Sequence, residues 1–428
     1  MNRRDFIKLS GSGLLTLFLS GCGLSALTNK PETTANANNH IGENKMKIVA
    51  NKNDLLKAVK LVGKAVAAKS PNPALEGIYM VANKETNDLT IKGYDLELGI
   101  ETTIPVDIVE DGTILVSSKL FTNIVSSAPD GRIQISTGKK DVITIKTNAS
   151  RHRITGMDIS EYPEFPKIKE LDSIDVRPDL LKEMIKMVIY AAGKNCPKPV
   201  HNGIQFKVRE NVLYLVGLDG YRLAVAAMPI EHKDVDFVMP NKALTSVLEC
   251  VSDYDNKVKI IVSDRHIIVQ TISYKIVTRL LEGVFMDFEG MVPKKSTFSC
   301  TVDQYEFLKA LQRIQIMNDT KATSPIKVSY DKNDAVLKCT LKSPIGEAYE
   351  EISTKVKKCD EELLIGFNNR YLMDAVEHCI RFDEIHLNFN GPLSPLIIRK
   401  TPEEECEFDF FHMVVPMRIK DDVEESKK

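Results

Sequence analysis

Apolar residues recur at helical spacing at the start of three separate segments of the chain. The first segment predicts an amphipathic helix over residues 53–66 with Asn53 as its N-cap, and lysines occupy its polar side. Its apolar side is formed by Leu55, Leu56, Val59, Val62 and Val66. The same pattern predicts helices over residues 178–192 and 302–317, each after a short strand.

The remaining pattern repeats with the same order and spacing. A strand follows each helix in "NPALEGIYMVA", "KPVHNGIQFKV" and "TSPIKVSYDK", and a second helix follows in "SSKLFTNIVSSA", "PNKALTSVLECV" and "NNRYLMDAVEHCI". Alternating apolar and polar residues then predict further strands. A period of about 124 residues is that of a whole domain rather than a solenoid repeat. The sequence therefore predicts three α+β copies, each with two helices against an antiparallel sheet of roughly eight strands.

Composition narrows the class of protein. The 428 residues are 43% hydrophobic and 27% charged, as in globular multidomain proteins. The eight cysteines form no C-x-x-C pair, which argues against a zinc site and favours a reducing compartment. After the first 22 residues no apolar run reaches the length of a membrane span, which is about 18 residues.

The N-terminal segment indicates export from the cytoplasm, in contrast to the reducing compartment that the cysteines favour. Arg3 and Arg4 precede an apolar run that ends at Leu19-Ser20-Gly21-Cys22, a pattern typical of a twin-arginine export signal with a lipid-acceptor cysteine. Residues 26–45 are polar and predict a disordered linker. Met46 then opens a second plausible protein start, so residues 1–45 are either a processed prefix or a segment outside the functional protein.

Basic residues recur on the polar sides of the predicted helices. A solvated helix face is one interpretation, and a surface that contacts the phosphates of DNA without reading its sequence is the other. The residues are Lys57, Lys60, Lys64, Lys182, Lys186, Lys309 and Arg313 on the first helices, and Lys119, Lys242 and Arg370 on the second.

Several motifs, taken together, resemble one family. They are "NPALEG", the "EYPEFP" elbow, "GLDGYRLA" at 217–224 and the terminal "VVPMRI" at 414–419. In this order they are similar to the bacterial sliding clamp, the beta subunit of DNA polymerase III. The resemblance implies clamp domains at 46–169, 170–296 and 297–428, which form half of a closed ring. The ring would be a head-to-tail homodimer around duplex DNA.

The resemblance also implies a hydrophobic groove between the second and third domains for partner peptides. Its expected partners are the DNA polymerase III alpha subunit, the clamp loader and other proteins with a clamp-binding motif. Met286 stands where the family usually has proline, and Gly290 where a polar residue is common. The groove residues carried over are Leu218, Gly220, Tyr221, Arg222, Leu223, Met286, Met291, Leu393, Met413, Val414, Val415, Pro416, Met417, Arg418 and Ile419. A plain final strand in a core is the alternative for residues 413–419.

Further positions follow from the same resemblance. Lys69, Lys198 and Pro199 occupy loops that touch the duplex in the family, and they join the basic helix residues as DNA-binding candidates. The expected dimer interface contains His152, Ile154, Gln315 and Ile316, although His152 and Gln315 replace residues that are typically apolar.

The function expected from this resemblance is non-catalytic. The clamp would tether the replicative polymerase to DNA and so confer processivity, in the cytoplasm, with no cofactor and no metal. An enzyme is disfavoured because the sequence has no phosphate-binding loop, no G-x-S-x-G motif and no spaced catalytic set. The other alternative is an exported or lipid-anchored binding protein on a clamp-like scaffold.

Overall fold

The computed structural model describes residues 45–138, 141–252, 254–318, 324–331, 335–359, 362–403 and 405–419. The export-like prefix, including Arg3, Arg4 and Cys22, lies outside the described residues, as does the charged tail at 420–428.

Three copies of one domain follow each other along the chain. The first contains β1 (Lys47–Asn51), α1 (Lys52–Val62), β2 (Gly77–Asn83), β3 (Asp88–Tyr94), β4 (Leu98–Pro105), β5 (Asp107–Glu110), β6 (Gly112–Ser117), α2 (Ser118–Ser127), β7 (Arg132–Thr137), β8 (Val142–Lys146) and β9 (Arg151–Thr155). The second contains β10 (Asp172–Val176), α3 (Pro178–Val188), β11 (Gly203–Arg209), β12 (Val212–Leu218), β13 (Arg222–Pro229), β14 (Val235–Pro240), α4 (Asn241–Cys250), β15 (Val258–Val262), β16 (His266–Gln270) and β17 (Tyr274–Arg279).

The third copy keeps the same order. It contains β18 (Phe298–Asp303), α5 (Gln304–Gln315), β19 (Ile326–Asp331), β20 (Val336–Ser343), β21 (Gly346–Ser353), β22 (Lys355–Cys359), β23 (Leu364–Phe367), α6 (Asn369–Glu377), β24 (Glu384–Phe389), β25 (Leu396–Lys400) and β26 (Asp409–Val414). The prediction of three α+β copies with two helices each is confirmed. The expected boundaries at 169/170 and 296/297 fall in the segments that connect the copies.

The first helix of each copy differs from its prediction at the ends. Asn51, not Asn53, caps α1, because its side-chain oxygen accepts a hydrogen bond from the Asn53 N–H at 2.8 Å. The predicted helix to Val66 stops at Val62 and continues only as a 3-10 turn over Gly63–Ala65. In the third copy, the helix expected from Val302 begins at Gln304, because Asp303 caps it through the Glu306 N–H.

Two sheets cross the boundaries between copies. β17 of the second copy pairs antiparallel with β4 of the first, and β26 of the third pairs antiparallel with β13 of the second. An eight-stranded and a nine-stranded sheet result, while a five-stranded sheet ends at β9 and a four-stranded sheet ends at β21. Backbone hydrogen bonds therefore join the three copies, and β9 and β21 lie at sheet edges.

Helices and connecting segments cover opposite faces of these sheets. The buried faces of the six α-helices in the described residues belong to one large core cluster that runs through the three copies. The segment that connects the first and second copies, residues 156–171, lies on the other face. Its Phe165 and Ile168 pack against Ile261, Ile268 and Val277. The sheet junctions are thus packed on both sides.

The cysteines that the structure describes are all free thiols, and four of them are buried. Burial raises the pKa of Cys250, Cys300 and Cys339 to about 12, so these thiols stay protonated. Within the same described residues, no helix is long and apolar enough to cross a bilayer.

Candidate functional sites: a junction groove, a basic helix layer and two sheet edges

The junction between the second and third copies carries an apolar surface on the face away from the helices. Leu223 on β13 lies opposite Met413 on β26, and both side chains are buried. They form a cluster separate from the main core, with Val216, Leu218, Val225, Phe288, Ile397 and Phe411. The structure therefore brings together Leu218, Leu223 and Met413 of the expected groove.

The segment that connects the second and third copies, residues 280–297, covers one side of this cluster. Phe285, Met291 and Val292 pack against it. Met286 instead has 39% of its surface exposed, and Leu393 has 77% exposed. Met291 thus packs against the cluster, whereas Met286 and Leu393 present apolar surface to solvent.

The residues after β26 run along the edge of the third copy. The Val415 N–H donates to the Tyr221 carbonyl oxygen at 2.9 Å, and the Met417 N–H donates to the Gly366 carbonyl oxygen at 2.8 Å. Pro416, Met417 and Ile419 are half-buried and Arg418 is exposed. The side chain of Val414 belongs to the main core on the helix face, so only its backbone borders the groove.

A tight turn places the polar residues beside the groove. The Asp219 carboxylate accepts hydrogen bonds from the N–H groups of Tyr221 at 2.9 Å and Arg222 at 3.1 Å. Gly220, which lies between Asp219 and Tyr221, has φ of +93°, a conformation that favours glycine. Tyr221 is 60% exposed, and its ring stacks on Tyr371 of α6 with centroids 5.7 Å apart.

Arg222 joins the two domains through its guanidinium. Its Nε donates to Asp219 Oδ2 at 3.0 Å, and its Nη1 donates to Asp374 of α6. The guanidinium also lies 5.3 Å from the centroid of Tyr190 and 4.9 Å from that of Tyr371. Because these groups come from both copies, Arg222 holds the groove wall in place as well as bordering it.

Behind the groove lies a fully buried histidine. His412 Nδ1 donates to the Ala375 carbonyl oxygen at 2.9 Å, and Tyr190 packs against the ring with centroids 5.3 Å apart. Burial lowers the pKa of His412 to about 3, so the ring is neutral in the folded protein.

Sequence reasoning did not find several groove residues. Tyr371 and Asp374 lie one turn apart on α6, next to the predicted basic residue Arg370. No sequence motif marks Phe288, Phe411 or Gly366 either. Their side chains or backbone reach the groove through tertiary packing, and the only available signal was the high aromatic content of residues 285–288 and 408–411.

The basic candidates lie on the helix layer and in nearby loops. Lys57, Lys60, Lys69, Lys119, Lys186, Lys198, Pro199 and Arg370 are exposed, and Lys182 is half-buried. Lys64 forms an ion pair with Glu249, and Lys242 forms one with Asp95, so both cross the first junction. Because α1 also contacts α4, the helix layers of neighbouring copies adjoin there.

The two basic residues of α5 have neighbours within the third copy. Arg313 donates two hydrogen bonds to the Glu350 carboxylate on β21, at 2.8 and 2.7 Å, and these bonds hold the pKa of Glu350 below its usual value. Lys309 donates to Gln312 at 3.1 Å and lies 5.3 Å from the ring centroid of Tyr305. Arg313 is thus engaged by a carboxylate that a phosphate would have to displace.

The expected dimer residues lie beside the two sheet edges. His152 and Ile154 are on β9, and His152 is exposed. Gln315 ends α5 and accepts a hydrogen bond from Asn369 at 2.9 Å, while Ile316 next to it is 72% exposed. α5 packs against β21. The structure thus divides the four residues between the edges at β9 and β21, which belong to different copies.

Three equivalent domains joined through sheet edges, with a basic helix layer on one face and an apolar groove on the other, define a tandem clamp protein. Three models of the DNA polymerase III beta subunit match the chain: the N-terminal domain at residues 46–166, the central domain at 175–287 and the C-terminal domain at 289–418. The chain belongs to this family, the bacterial sliding clamps.

Relatives and solved structures agree with this assignment. The chain is 27% identical to the beta sliding clamp of Halalkalibacterium halodurans over 387 residues, which cover 87% of the chain and 100% of the relative. The sliding clamp structure from Bacillus subtilis superposes with a TM-score of 0.80 at 26% identity, covering 88% of the chain and 100% of that structure. The beta subunit structure from Thermotoga maritima gives a TM-score of 0.79 at 26% identity, with the same two coverages. Members of this family are non-catalytic processivity factors of DNA replication.

Proposed function

We propose that the chain is a DNA sliding clamp that confers processivity on the replicative polymerase as a ring-shaped homodimer around duplex DNA. The observation that carries this proposal is the repeated use of one strand pairing. The first junction pairs β17 with β4, and the second pairs the equivalent strands β26 and β13. The remaining equivalents are β9, which corresponds to β17 and β26, and β21, which corresponds to β4 and β13. Each of these two strands lies at the edge of its own sheet.

Two copies of the chain can close through these edges. β9 of one protomer would pair with β21 of the other at two seams, which gives six domains and six equivalent junctions. This arrangement is heterologous and closed, so it ends at a dimer instead of growing into a filament. In such a ring the helix layers of all domains face the same side of the sheets.

The helix layer supplies a surface for the duplex. Exposed lysines such as Lys57, Lys60 and Lys186 are point charges that neutralise phosphates and read no base sequence. Closure of the ring would add a topological link that salt does not break. Binding without sequence preference and sliding along the duplex follow from these two features.

The groove between the second and third copies supplies the link to partners. Its floor is apolar, and the exposed methionine and leucine at its rim adapt to different peptides. The DNA polymerase III alpha subunit, the clamp loader and other proteins with a clamp-binding motif are the partners proposed for it. Tethering raises the effective concentration of the polymerase at the primer end.

Retention on circular DNA tests the proposal. The protein is loaded onto nicked circles with a clamp loader, and the complexes are washed at a salt concentration that removes ordinary basic proteins. We expect the protein to stay on the circles and to leave after a restriction enzyme linearises them. Equal loss from circular and linearised DNA at that salt would overturn encirclement.

We propose that the protein acts in the cytoplasm. Identifying the N-terminal residue of the native protein tests this localisation. The match to the N-terminal domain model begins at residue 46, and the chain covers 100% of the Halalkalibacterium halodurans relative. Mass spectrometry of the native protein is expected to find Met46 or Met1 at the N-terminus of the soluble fraction. A mature protein that begins at lipid-modified Cys22 in the membrane fraction would favour the exported binding protein instead.

A further inference from the structure

Two lysines of the helix layer are paired with carboxylates at the first junction. Lys64, in the 3-10 turn that follows α1, pairs with Glu249 on α4, and each of the two side chains is 40% exposed. Lys242, in the first turn of α4, pairs with Asp95, and the lysine side chain is 52% exposed. Because both lysines are expected DNA-binding residues, the two carboxylates occupy the charges that a phosphate would use.

The placement of these charges does not favour α4 itself. A helix has a positive N-terminal end and a negative C-terminal end, so anions are favourable at its start and cations at its end. α4 has the opposite arrangement, with Lys242 in its first turn and Glu249 in its last turn. The two charges therefore serve interactions outside the helix, and the two ion pairs are such interactions.

The turn between β3 and β4 fixes the Asp95 carboxylate in place. Its Oδ1 accepts hydrogen bonds from two backbone N–H groups of the turn at 3.0 and 2.7 Å, and its Oδ2 accepts one from Lys242. Asp219 forms the equivalent turn at the second junction, but its partner Arg222 is only 12% exposed and is held by two carboxylates. The pair at the second junction is therefore part of the protein interior, whereas Lys242 lies at the surface.

We propose that Glu249 and Asp95 compete with DNA phosphates for Lys64 and Lys242, and so keep the duplex loosely held while the ring moves along it. The proposal rests on the DNA-encircling function proposed above. An exposed ion pair contributes little stability, so a phosphate can displace the carboxylate and the carboxylate can displace the phosphate in turn. Since the lysine stays paired in both states, the free energy of the contact changes little as the ring moves from one phosphate to the next.

The release of counterions explains why such pairing weakens DNA binding. A lysine without a neighbouring carboxylate releases bound counterions from the duplex when it neutralises a phosphate, and this release strengthens binding at low salt. A paired lysine instead exchanges one anion for another and adds little affinity. Encirclement keeps the ring on the DNA without strong contacts, so tight phosphate binding would add friction and no retention. Paired lysines therefore suit a ring that moves freely.

Removal of the two carboxylates tests the proposal. The helix-layer variant, Glu249→Gln with Asp95→Asn, keeps the shape of both side chains, and the asparagine amide oxygen can still accept the hydrogen bonds of the turn. We expect its affinity for a labelled duplex to rise about tenfold at low salt, and the slope of affinity against salt to steepen by about one unit for each freed lysine that meets a phosphate. Fluorescence anisotropy across a salt series measures both. Single-molecule tracking on stretched DNA should show slower diffusion of the loaded ring.

The matched control removes two carboxylates from the opposite face of the sheet. Asp175 pairs with Lys257 at 2.7 Å and Glu170 with Lys259 at 2.9 Å. Asp175 points away from the core residues of β10, and Lys259 lies opposite it on β15, so both pairs are on the face away from the helices. The control variant, Glu170→Gln with Asp175→Asn, adds the same net charge. Its DNA affinity should change less than about twofold, since salt screens charges beyond about 10 Å.

Two further variants separate freed lysines from net charge. Adding Lys64→Gln and Lys242→Gln to the helix-layer variant restores the original net charge and removes the freed lysines, so the gain in DNA affinity should disappear. Adding Lys257→Gln and Lys259→Gln instead restores the same net charge on the opposite face, so the gain should remain. Glu249→Gln alone, which leaves the turn at Asp95 unchanged, is expected to give about a threefold gain.

Circular dichroism and the melting temperature check that every variant folds. A helix-layer variant that binds DNA no tighter than the control variant would overturn the proposal. A gain that persists without Lys64 and Lys242 would overturn it as well. An unmodified chain that binds no duplex, or that leaves circular DNA as readily as linear DNA, would instead overturn the clamp function itself.

Discussion

The Met417 N–H donates a hydrogen bond to the Gly366 carbonyl oxygen at 2.8 Å, and a Cβ on Gly366 would come within 2.7 Å of the Met417 carbonyl oxygen. It would also come within 2.8 Å of Ile419 Cγ1. The terminal residues that border the groove can take this path only because position 366 has no side chain.

Gly366→Ala is therefore expected to displace the segment that carries Met417 and Ile419. Forcing a side chain into this contact costs about 1–3 kcal/mol, so the affinity for a peptide with the clamp-binding motif should fall about tenfold. Fluorescence anisotropy with a labelled peptide measures the change. Gly138→Ala is the control, since its nearest contact would be an ordinary 3.5 Å. Equal affinities of the two variants would contradict this role of Gly366.

The two methionines of the second connection are expected to behave differently. Met291 packs against the groove cluster, whereas Met286 is partly exposed. Met286→Ala should weaken peptide binding and leave the melting temperature unchanged, because it removes only ligand-facing surface. Met291→Ala should weaken peptide binding and also lower the melting temperature. The expected loss in the free energy of unfolding is about 1–2 kcal/mol, which is typical of a partly buried side chain. A destabilised Met286→Ala variant would show that this residue supports the wall instead.

Among the exposed lysines that the structure describes, Lys64 and Lys242 form ion pairs, whereas Lys57 and Lys60 form none. The double variant Lys57→Gln, Lys60→Gln removes two exposed charges and is expected to reduce the salt dependence of DNA binding by about one unit of slope per lost phosphate contact. The double variant Lys64→Gln, Lys242→Gln removes the same charge but from residues paired with Glu249 and Asp95. The slope of DNA-binding affinity against salt concentration should change less in this variant than in the Lys57→Gln, Lys60→Gln variant. Equal changes in a salt titration of binding would mean that the ion pairs open on DNA.

Arg222 is expected to matter for the stability of the second junction. Arg222→Lys keeps the charge, but a single ammonium cannot bond both Asp219 and Asp374 in the same geometry or stack on Tyr190 and Tyr371. We expect a loss of about 3 kcal/mol in the free energy of unfolding, measured in urea. The control is Arg209→Lys, whose exposed ion pair with Glu289 spans 3.7 Å and contributes little.

His412 makes the same junction sensitive to acid. Its pKa is lowered to about 3 by burial, against an ordinary value of 6.5. The unfolded chain therefore binds a proton below pH 6.5 that the folded chain excludes, so stability is full above pH 6.5 and falls as the pH drops toward 3. At pH 5 the loss from this one group is about 2 kcal/mol.

The variant His412→Asn isolates that contribution. Asparagine can still donate to the Ala375 carbonyl but cannot titrate, so the variant should lose less stability between pH 7.5 and pH 5 than the unmodified chain. Urea unfolding at both pH values measures the difference. Equal losses in the variant and the unmodified chain would show that His412 is not the responsible group.

The repeat and the helix positions were accessible from the sequence because they depend on local patterns. Leu55, Val59 and Val62 fall on one side of α1 through helical periodicity, and all three are buried. Helix ends were less accessible, since the choice of Asn51 over Asn53 as cap depends on where β1 ends. The groove motif was found through resemblance, but Tyr371, Asp374 and Gly366 were missed because nothing local marks them.

Local residue patterns are sufficient to predict that three copies of one domain follow each other, since each copy encodes its own helices and alternating strands within about 124 residues. How the copies join depends on contacts that form only in the folded chain. The register of β17 on β4 and of β26 on β13 arises from backbone pairing between residues about 175–190 positions apart. No local preference fixes a contact at that separation. The same long-range pairing places Arg222 between two domains and leaves β9 of the first copy and β21 of the third copy at sheet edges.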